Sequence, residues 1–503
     1  MEKSKVQLND KNNAITPKQW IIFGGACVFM FFVYIFALFN NNITYDSVYE
    51  YFLIKHSFAE MWQLIPEDYS PPFYSVSLKL FAEVFGYSLP VLRFFSFFSF
   101  VGMMFLAVFP VKKLFGEKAS YLATVLLLTS TVNYVYSVDI RPATYAYFFS
   151  TTVVIYSMLA QLENKKHYYV ILCIFSVLAV YTHYVSLIFA FVVYLICIVF
   201  CLIKKSFKQI LRYLICGVII AVSYAPWLVV LLGQTKNVQE HFWDDPCNSF
   251  FINALINVFV KPYRTFDLGD LYIIGFAVFI VFFISLVLII LRRKVGENKD
   301  KIILLLAEIF IPLIVFQIVI VDVFKIPAPR YYYIFSGAAL IGIAVIASLA
   351  FDKKIVLILL SALCTFNCVL NCVHMYKIRN DNNYEKMVAD FNAVAPAEGL
   401  VFLHDHEYSM GIFSYYFPDA GHYIYDDTYT VIRDFDVFPT NIRNIGDASN
   451  IWDYTDEVYY AFAYYPDSII DIEGEYQFYE CAYADECEYN NDFIVFHYNV
   501  IYE

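Results

Sequence analysis

Long blocks of apolar residues, separated by short polar segments, run along the first three quarters of the chain. Residues 20–39, 271–291 and 331–351 carry no charged side chain at all. Each is long enough to cross a hydrocarbon core of about 30 Å as a helix. The pattern predicts about eleven membrane-spanning helices, at residues 20–39, 89–111, 119–137, 142–162, 168–183, 184–203, 210–232, 271–291, 302–321, 331–350 and 355–374.

The composition supports an α-helical polytopic membrane protein. Of the 503 residues, 60% are hydrophobic and 16% are charged, whereas soluble domains carry about 25% charged residues. The first apolar block is longer than the core of a signal peptide, and no small-residue cleavage site follows it. We therefore interpret it as a membrane anchor.

The distribution of basic residues predicts the orientation. With the N-terminus inside, the cytoplasmic segments hold twenty lysines and arginines, the external loops nine and the C-terminal region five, together the 34 of the chain. Cytoplasmic loops are enriched in these residues. An odd number of spans then places residues 375–503 outside, and we expect a multi-pass protein of a bacterial plasma membrane.

Three regions follow from this pattern. Residues 1–19 are a cytoplasmic tail, residues 20–374 are the transmembrane domain, and residues 375–503 are a small α/β domain outside the membrane. The external loops 40–88 and 233–270 are long, and most of the others are short. In the last region a helix is predicted at 385–394, and strands at 400–403, 458–464 and 493–498.

The last region is strongly acidic. Residues 375–503 hold 25 acidic and 5 basic side chains, whereas the remainder holds 21 and 29. Such a surface repels phosphate, so nucleic acid is excluded as a partner. Cys481 and Cys487 are candidates for a disulfide if the compartment is oxidising, whereas the cysteines within spans are expected to pack as small apolar side chains.

Ionisable residues at span ends are functional candidates, because burying them near lipid is costly. They gather on the predicted outer side. A carboxylate there can take a proton from an acceptor hydroxyl, and guanidinium groups can hold a phosphate. The candidates are the carboxylates Asp46, Asp68 and Asp139, the phosphate-binding Arg141 and Arg330, and the site-lining Glu50, Ser70, Arg93, His183 and His241.

Each main candidate also has a structural interpretation. Asp46 can cap a helix that starts at Ser47, and Asp139 can form a local ion pair with Arg141. Arg330 can anchor its helix at the membrane interface, and His183 can be an interfacial polar residue. The sequence leaves both interpretations open.

Several short segments occur in a fixed order along the first ten predicted spans. They are Asp46, residues 68–74, Phe85-Gly86-Tyr87-Ser88, residues 93–96, residues 136–142, Tyr181-Thr182-His183-Tyr184, Pro226-Trp227 and Pro329-Arg330-Tyr331. This ordered set resembles the GT-C glycosyltransferases, most closely glycosyltransferase family 39, which includes protein O-mannosyltransferases and lipid A aminoarabinose transferases. The sequence departs from the family where Ser47 follows Asp46 and where Ser70 precedes two prolines; the family often has Glu and His there.

The resemblance implies inverting transfer of a sugar from a polyprenyl-phosphate donor at the outer face. Asp46 would then be the base that serves the acceptor, and Arg141 would contact the donor phosphate. The expected partners are this donor, an envelope glycan, lipid or protein as acceptor, and the lipid bilayer. No cofactor is called for and no metal ligands are assigned, while a divalent metal stays open.

Two other functions remain as alternatives. A lipid-linked glycan transporter or flippase is disfavoured because the middles of the spans are almost free of charge, with Glu308 as the main exception. An outer-face polysaccharide ligase normally places its chemistry in a large late loop, whereas the acids here lie in the first.

Overall fold

A computed structural model of the chain describes residues 15–66, 68, 70–136, 138–241, 251–265, 272–291, 298–324, 329–381, 383–394, 396–404, 406–425, 435–439, 441–462, 476–480 and 494–500. In chain order the helices are α1 (Pro17–Leu38), α2 (Tyr45–Lys55), α3 (Phe58–Leu64), α4 (Phe73–Phe85), α5 (Leu89–Val108), α6 (Pro110–Phe115), α7 (Glu117–Thr129), α8 (Thr131–Tyr136), α9 (Ala143–Glu163), α10 (Lys166–Val180), α11 (Tyr184–Ile203), α12 (Phe207–His241), α13 (Phe251–Leu255), α14 (Ile273–Leu291), α15 (Lys299–Phe316), α16 (Tyr333–Ala350), α17 (Lys354–Asp381), α18 (Asn383–Val394) and α19 (Glu407–Tyr416).

The protein is predominantly helical, as the sequence predicts. Nine helical segments in the described part of the chain are long and apolar enough to cross a membrane. Two of the predicted spans are shorter: α10 is a fifteen-residue apolar helix, and the stretch 119–137 is divided into α7 and α8 by the extended Ser130. The count of eleven spans therefore stays a prediction.

The described chain divides into two compact units. Unit 1 comprises residues 1–38, 70–74 and 93–375, and unit 2 comprises residues 39–69, 75–92 and 376–503. Most of the first external loop thus groups with the C-terminal region, a division that the sequence did not suggest.

Helix α16 lies at the centre of unit 1, and nearly all its side chains are buried. Small residues allow this close packing, as is common between membrane helices. A Cβ atom added at Gly337 would lie 2.3 Å from Oγ1 of Thr151 in α9. The buried Glu308 of α15 accepts hydrogen bonds from Ser157 Oγ at 2.7 Å and from Cys197 Sγ at 3.3 Å, which joins three helices.

The C-terminal part of unit 2 contains a mixed sheet of six strands. Its order is β3-β2-β1-β4-β6-β5. β1 pairs in parallel with β2 and β4, β2 pairs in parallel with β3, and β6 pairs antiparallel with β4 and β5. The strands are β1 (Val401–His404), β2 (Gly421–Tyr425), β3 (Ile442–Gly446), β4 (Glu457–Phe462), β5 (Tyr476–Glu480) and β6 (Ile494–Val500).

This sheet confirms the small α/β architecture predicted for the end of the chain. Helix α18 matches the predicted helix, and β1, β4 and β6 match the three predicted strands to within a few residues. The domain boundaries stay predictions. Cys481 and Cys487 lie outside the described residues.

Candidate functional site

His183 lies in unit 1, in the turn between α10 and α11. Its Nδ1 atom accepts a hydrogen bond from the backbone N–H of Val185 at 3.2 Å and so caps α11. An accepting Nδ1 carries no proton in the neutral ring, so Nε2 carries it. The ring therefore presents an N–H donor on its other side.

The charge of His183 is set by its surroundings. Burial, followed by the positive charges of Arg330 and Arg141, lowers the pKa of His183 to about 3. The imidazole is therefore neutral at pH 7. Because its basic nitrogen is already used by the helix cap, His183 suits a hydrogen-bond donor better than a general base.

The two arginines whose charges lower the pKa of His183 are both candidates predicted from the sequence. Arg330 is the second residue of the 3₁₀ turn Pro329–Tyr332, and its Cζ lies 5.8 Å from the ring centroid of Tyr331. The Tyr331 ring also packs edge-on against His183, with the centroids 5.1 Å apart. Within unit 1, Arg330 therefore lies next to the tyrosine that packs on His183, and the charge of Arg141 acts on the same imidazole.

Contacts among three tyrosine rings also join these segments, and nothing in the sequence indicates them. The Tyr333 ring lies 4.7 Å from that of Tyr136 and 4.4 Å from that of Tyr147. Tyr136 ends α8, Tyr147 lies in α9, and the turn between them carries Asp139 and Arg141. The half-buried Asp139 donates its backbone N–H to the carbonyl of Tyr136 at 3.3 Å. Such a contact between rings from three different segments leaves no periodic signal in the sequence.

The segment that contains Ser70 also belongs to unit 1. The backbone N–H of Phe73 donates to the carbonyl of Tyr181 at 3.0 Å, two residues before His183. The Phe73 ring packs against the Phe149 ring of α9, with the centroids 5.6 Å apart. The Ser70-Pro71-Pro72 segment is therefore attached to the turn that leads into His183.

Arg93 has a structural contact. It is 7% exposed, and its guanidinium donates to the carbonyl of Ala37, near the end of α1, at 3.2 Å. A cation at a helix C-terminus satisfies carbonyls that lack a partner within the helix. A role for Arg93 in lining the site stays a prediction.

The predicted acids of the first loop lie in unit 2. Helix α2 begins at Tyr45 with Thr44 as its N-cap, so Asp46 is the second helical residue rather than the cap of a helix that starts at Ser47. A carboxylate in the first turn is favoured by the helix dipole. Glu50 is buried one turn later on the same face. Asp68 is half-buried.

Lys79 holds the opposite end of α2, and its position gave no signal in the sequence. Only 3% of Lys79 is exposed, and its Nζ donates to the carbonyls of Ile54 at 2.9 Å and His56 at 2.8 Å. It also forms an ion pair with Glu83 at 3.2 Å. The ammonium group therefore satisfies the last carbonyls of α2.

The predicted residues thus fall into two groups, one in each unit. Asp46, Glu50 and Asp68 belong to unit 2, and the remaining described candidates belong to unit 1. Their convergence on one cavity stays a prediction. His241 ends α12, and its side chain lies outside the described part. Among the described residues, no three His, Cys, Asp or Glu side chains are grouped as metal ligands.

Comparison with known proteins agrees with this architecture. Residues 69–230 match the family described as dolichyl-phosphate-mannose-protein mannosyltransferase. No curated protein matches the sequence. ArnT from Cupriavidus metallidurans in the apo state has a similar structure, with 10% identity, a TM-score of 0.63, and coverage of 95% of this chain and 98% of that chain. The same protein bound to undecaprenyl phosphate has 11% identity and a TM-score of 0.59, covering 96% of this chain and 98% of that chain.

The two findings are of different kinds. The structural likeness, at such low identity, shows the fold. The family match covers the segment from the first loop to α12, which carries Ser70, Asp139, Arg141 and His183. Over residues 69–230 the sequence is similar to this mannosyltransferase family, and the chain as a whole has a fold similar to that of ArnT, so both findings support the resemblance to the GT-C glycosyltransferases of family 39.

Proposed function

We propose that the protein transfers one monosaccharide from a polyprenyl-phosphate-linked donor to an acceptor at the outer face of the membrane. The observation that carries this proposal is the buried, neutral His183 of unit 1, which caps α11 and packs on Tyr331 next to Arg330, and on which the charge of Arg141 also acts. The match to a family of dolichyl-phosphate-mannose-protein mannosyltransferases supports the proposal. The structural likeness to ArnT, which has been solved bound to undecaprenyl phosphate, supports it as well.

The donor requires positive charge at its phosphate. When the bond between the sugar C1 and the phosphate oxygen breaks, negative charge grows on the departing polyprenyl phosphate. Two guanidinium groups stabilise that charge, and the Nε2–H of His183 adds a donor without adding a charge. Arg141 and Arg330 are therefore assigned to donor phosphate.

The acceptor requires a base. Its hydroxyl oxygen attacks C1 from the side opposite the phosphate, which inverts the configuration, and the hydroxyl proton passes to a carboxylate. We assign this role to Asp46, which is held in the first turn of α2 and is half-buried. Asp68 and Asp139 are the next candidates. Glu50, Ser70, Arg93 and His241 are assigned to the lining of the site.

The surroundings of the reaction follow from the same reasoning. The acceptor is an envelope glycan, lipid or protein, and the protein lies in a bacterial plasma membrane with residues 375–503 outside. The charge distribution along the sequence supports this orientation.

The test is transfer of a labelled sugar from a polyprenyl-phosphate donor by the purified protein. General-base catalysis contributes about 10²–10⁴-fold, so Asp46→Asn should lower the rate by about that factor while the protein still inserts. Asp390→Asn, in α18, is a control for loss of a carboxylate elsewhere in the chain. Full activity of Asp46→Asn would move the base to Asp68 or Asp139.

The donor side is tested separately. Arg141→Ala should weaken the use of the donor, and Arg141→Lys should restore it only in part, because an ammonium group cannot replace a two-pronged guanidinium contact. Absence of transfer from every lipid-linked sugar tried would contradict the proposal and favour the transporter.

A further inference from the structure

Helix α2 packs against the C-terminal region within unit 2. The Tyr45 ring stacks on Tyr408 of α19, with the centroids 5.3 Å apart, and lies 6.2 Å from Phe438. Tyr45 is the residue before Asp46. The side chain next to the proposed base is therefore enclosed by aromatic rings from more than 350 residues later in the sequence.

Phe438 contacts a whole face of α2. Its ring lies 6.2 Å from Tyr49 and 5.7 Å from Phe52, in addition to Tyr45. These three residues are spaced four and three apart, so they share one side of the helix. Phe438 therefore fixes the rotation of α2 about its own axis.

Hydrogen bonds hold the chain on both sides of α2. The Tyr416 hydroxyl donates to the carbonyl of Asn41 at 2.6 Å, ahead of the helix. Behind it, the His56 Nε2 lies 2.9 Å from the carbonyl of Val437. Because both contacts come from the C-terminal region, α2 is held against sliding as well as rotation.

The closest approach is at Gly411, in the middle of α19. A Cβ atom there would lie 2.8 Å from Cδ2 and from Cε2 of the Tyr45 ring. Real Cβ contacts do not reach that distance, so a larger residue must displace Tyr45. The absence of a side chain at Gly411 is what allows α19 to lie against the start of α2.

We infer that the C-terminal region positions the base: Gly411, Tyr408 and Phe438 hold Tyr45, and through it set the place of the Asp46 carboxylate. These are positioning residues that act through α2. The inference rests on the proposed function, and it assigns the acidic C-terminal region to catalysis rather than to display on the surface.

The test compares two glycine variants of the full-length protein. Gly411→Ala introduces the close contact with Tyr45, whereas Gly399→Ala adds a Cβ in open space in the same region. A misplacement of about 1 Å can cost about 10²-fold in rate. We expect Gly411→Ala to lower kcat by about ten- to a hundredfold with the donor KM within about twofold, and Gly399→Ala to leave both unchanged.

A second substitution tests whether the effect passes through Tyr45. Tyr45→Leu replaces the ring that the new Cβ meets with a smaller side chain. Combined with Gly411→Ala, it should restore part of the kcat that Gly411→Ala loses. Contacting residues show such coupling, and independent ones do not. If Gly411→Ala does not fold, Phe438→Leu tests the same contact surface with a smaller change. It should also lower kcat.

Hydrogen exchange of residues 45–55, measured on the same proteins, separates this inference from the proposed function. Faster exchange in Gly411→Ala than in Gly399→Ala supports the positioning contact, even if the unmodified protein shows no sugar transfer. An active protein whose Gly411→Ala variant keeps the original kcat, loses only donor affinity, or exchanges α2 at an unchanged rate would overturn the inference.

Discussion

Acid should weaken the C-terminal sheet, because two buried histidines form a chain of hydrogen bonds between neighbouring strands. His404 ends β1 and His422 lies in β2, and both are fully buried. The His422 Nε2 lies 2.9 Å from the carbonyl of Phe417, and its Nδ1 lies 3.1 Å from the His404 Nε2. A carbonyl only accepts, so His422 donates through Nε2 and accepts at Nδ1.

A further proton on this pair of rings is unfavourable. His404 donates through Nε2, and its Nδ1 has no hydrogen-bond partner among the described residues. Phe402 and Phe413 pack around the pair. A proton added at either ring would create a buried charge, and at His404 also a buried donor without an acceptor.

The magnitude follows from the pKa of each ring. Burial lowers the pKa of His422 to about 4, compared with about 6.5 in an unfolded chain. Burial also lowers the pKa of His404, and the charge of a protonated His422 lowers it further. Below pH 6.5 the unfolded state binds protons that the folded state does not, so stability falls as the pH drops. The titration of His422 alone should lower the free energy of unfolding by about 2 kcal/mol at pH 5 and by about 3 kcal/mol below pH 4.

The assay is hydrogen exchange of β1 and β2 in the full-length protein at pH 7.5 and 5.0, corrected for the intrinsic pH dependence of exchange. A loss of about 2 kcal/mol corresponds to about 30-fold lower protection. His422→Gln keeps a donor for Phe417 and an acceptor for His404 but does not titrate, so its protection should depend less on pH. Equal protection of the two strands at both pH values in the unmodified protein would refute the reasoning.

Two further predictions concern the transmembrane domain. A reporter fused after Glu503 should be active only outside the cytoplasm, because the basic residues place the N-terminus inside; activity in the cytoplasm would contradict that orientation. Gly102→Ala should lower the midpoint of thermal unfolding, because its Cβ would lie 2.4 Å from the Phe148 ring, and overpacking typically costs about 1–3 kcal/mol. Gly217→Ala, whose Cβ meets open space, is the matched control and should leave the midpoint unchanged or raise it; equal losses in the two variants would contradict the packing argument.

The sequence predicted the elements of the fold well where one physical cause acts locally. Residues 331–350 carry no charged side chain, and the structure has helix α16 (Tyr333–Ala350) there. The strand predicted at 458–464 appears as β4, at Glu457–Phe462. The sequence leaves the start of α2 open, because Asp46 suits a cap and a first turn equally well; the extended backbone of Thr44 makes Thr44 the cap.

The site residues stay a prediction. The cost of charged side chains at span ends selects Arg141, His183 and Arg330 from the sequence, and in unit 1 the charges of the two arginines act on His183. The charge state of His183 was not predictable, because it depends on burial and on two guanidinium groups distant in sequence. The role of Lys79 was not predictable either, because the carbonyls that it binds are brought to its ammonium group only when α4 lies beside α2.

The sequence by itself determined a polytopic membrane protein with an acidic α/β region at its end, because span length, charge content and strand patterns are local properties of the chain. Only the tertiary structure decided that most of the first loop forms one compact unit with that region. Contacts such as that between Gly411 and Tyr45 join residues far apart in the chain. Such contacts depend on the shape of the packed surfaces rather than on periodicity. The sequence does not distinguish a glycine packed against an aromatic ring from a glycine exposed to water.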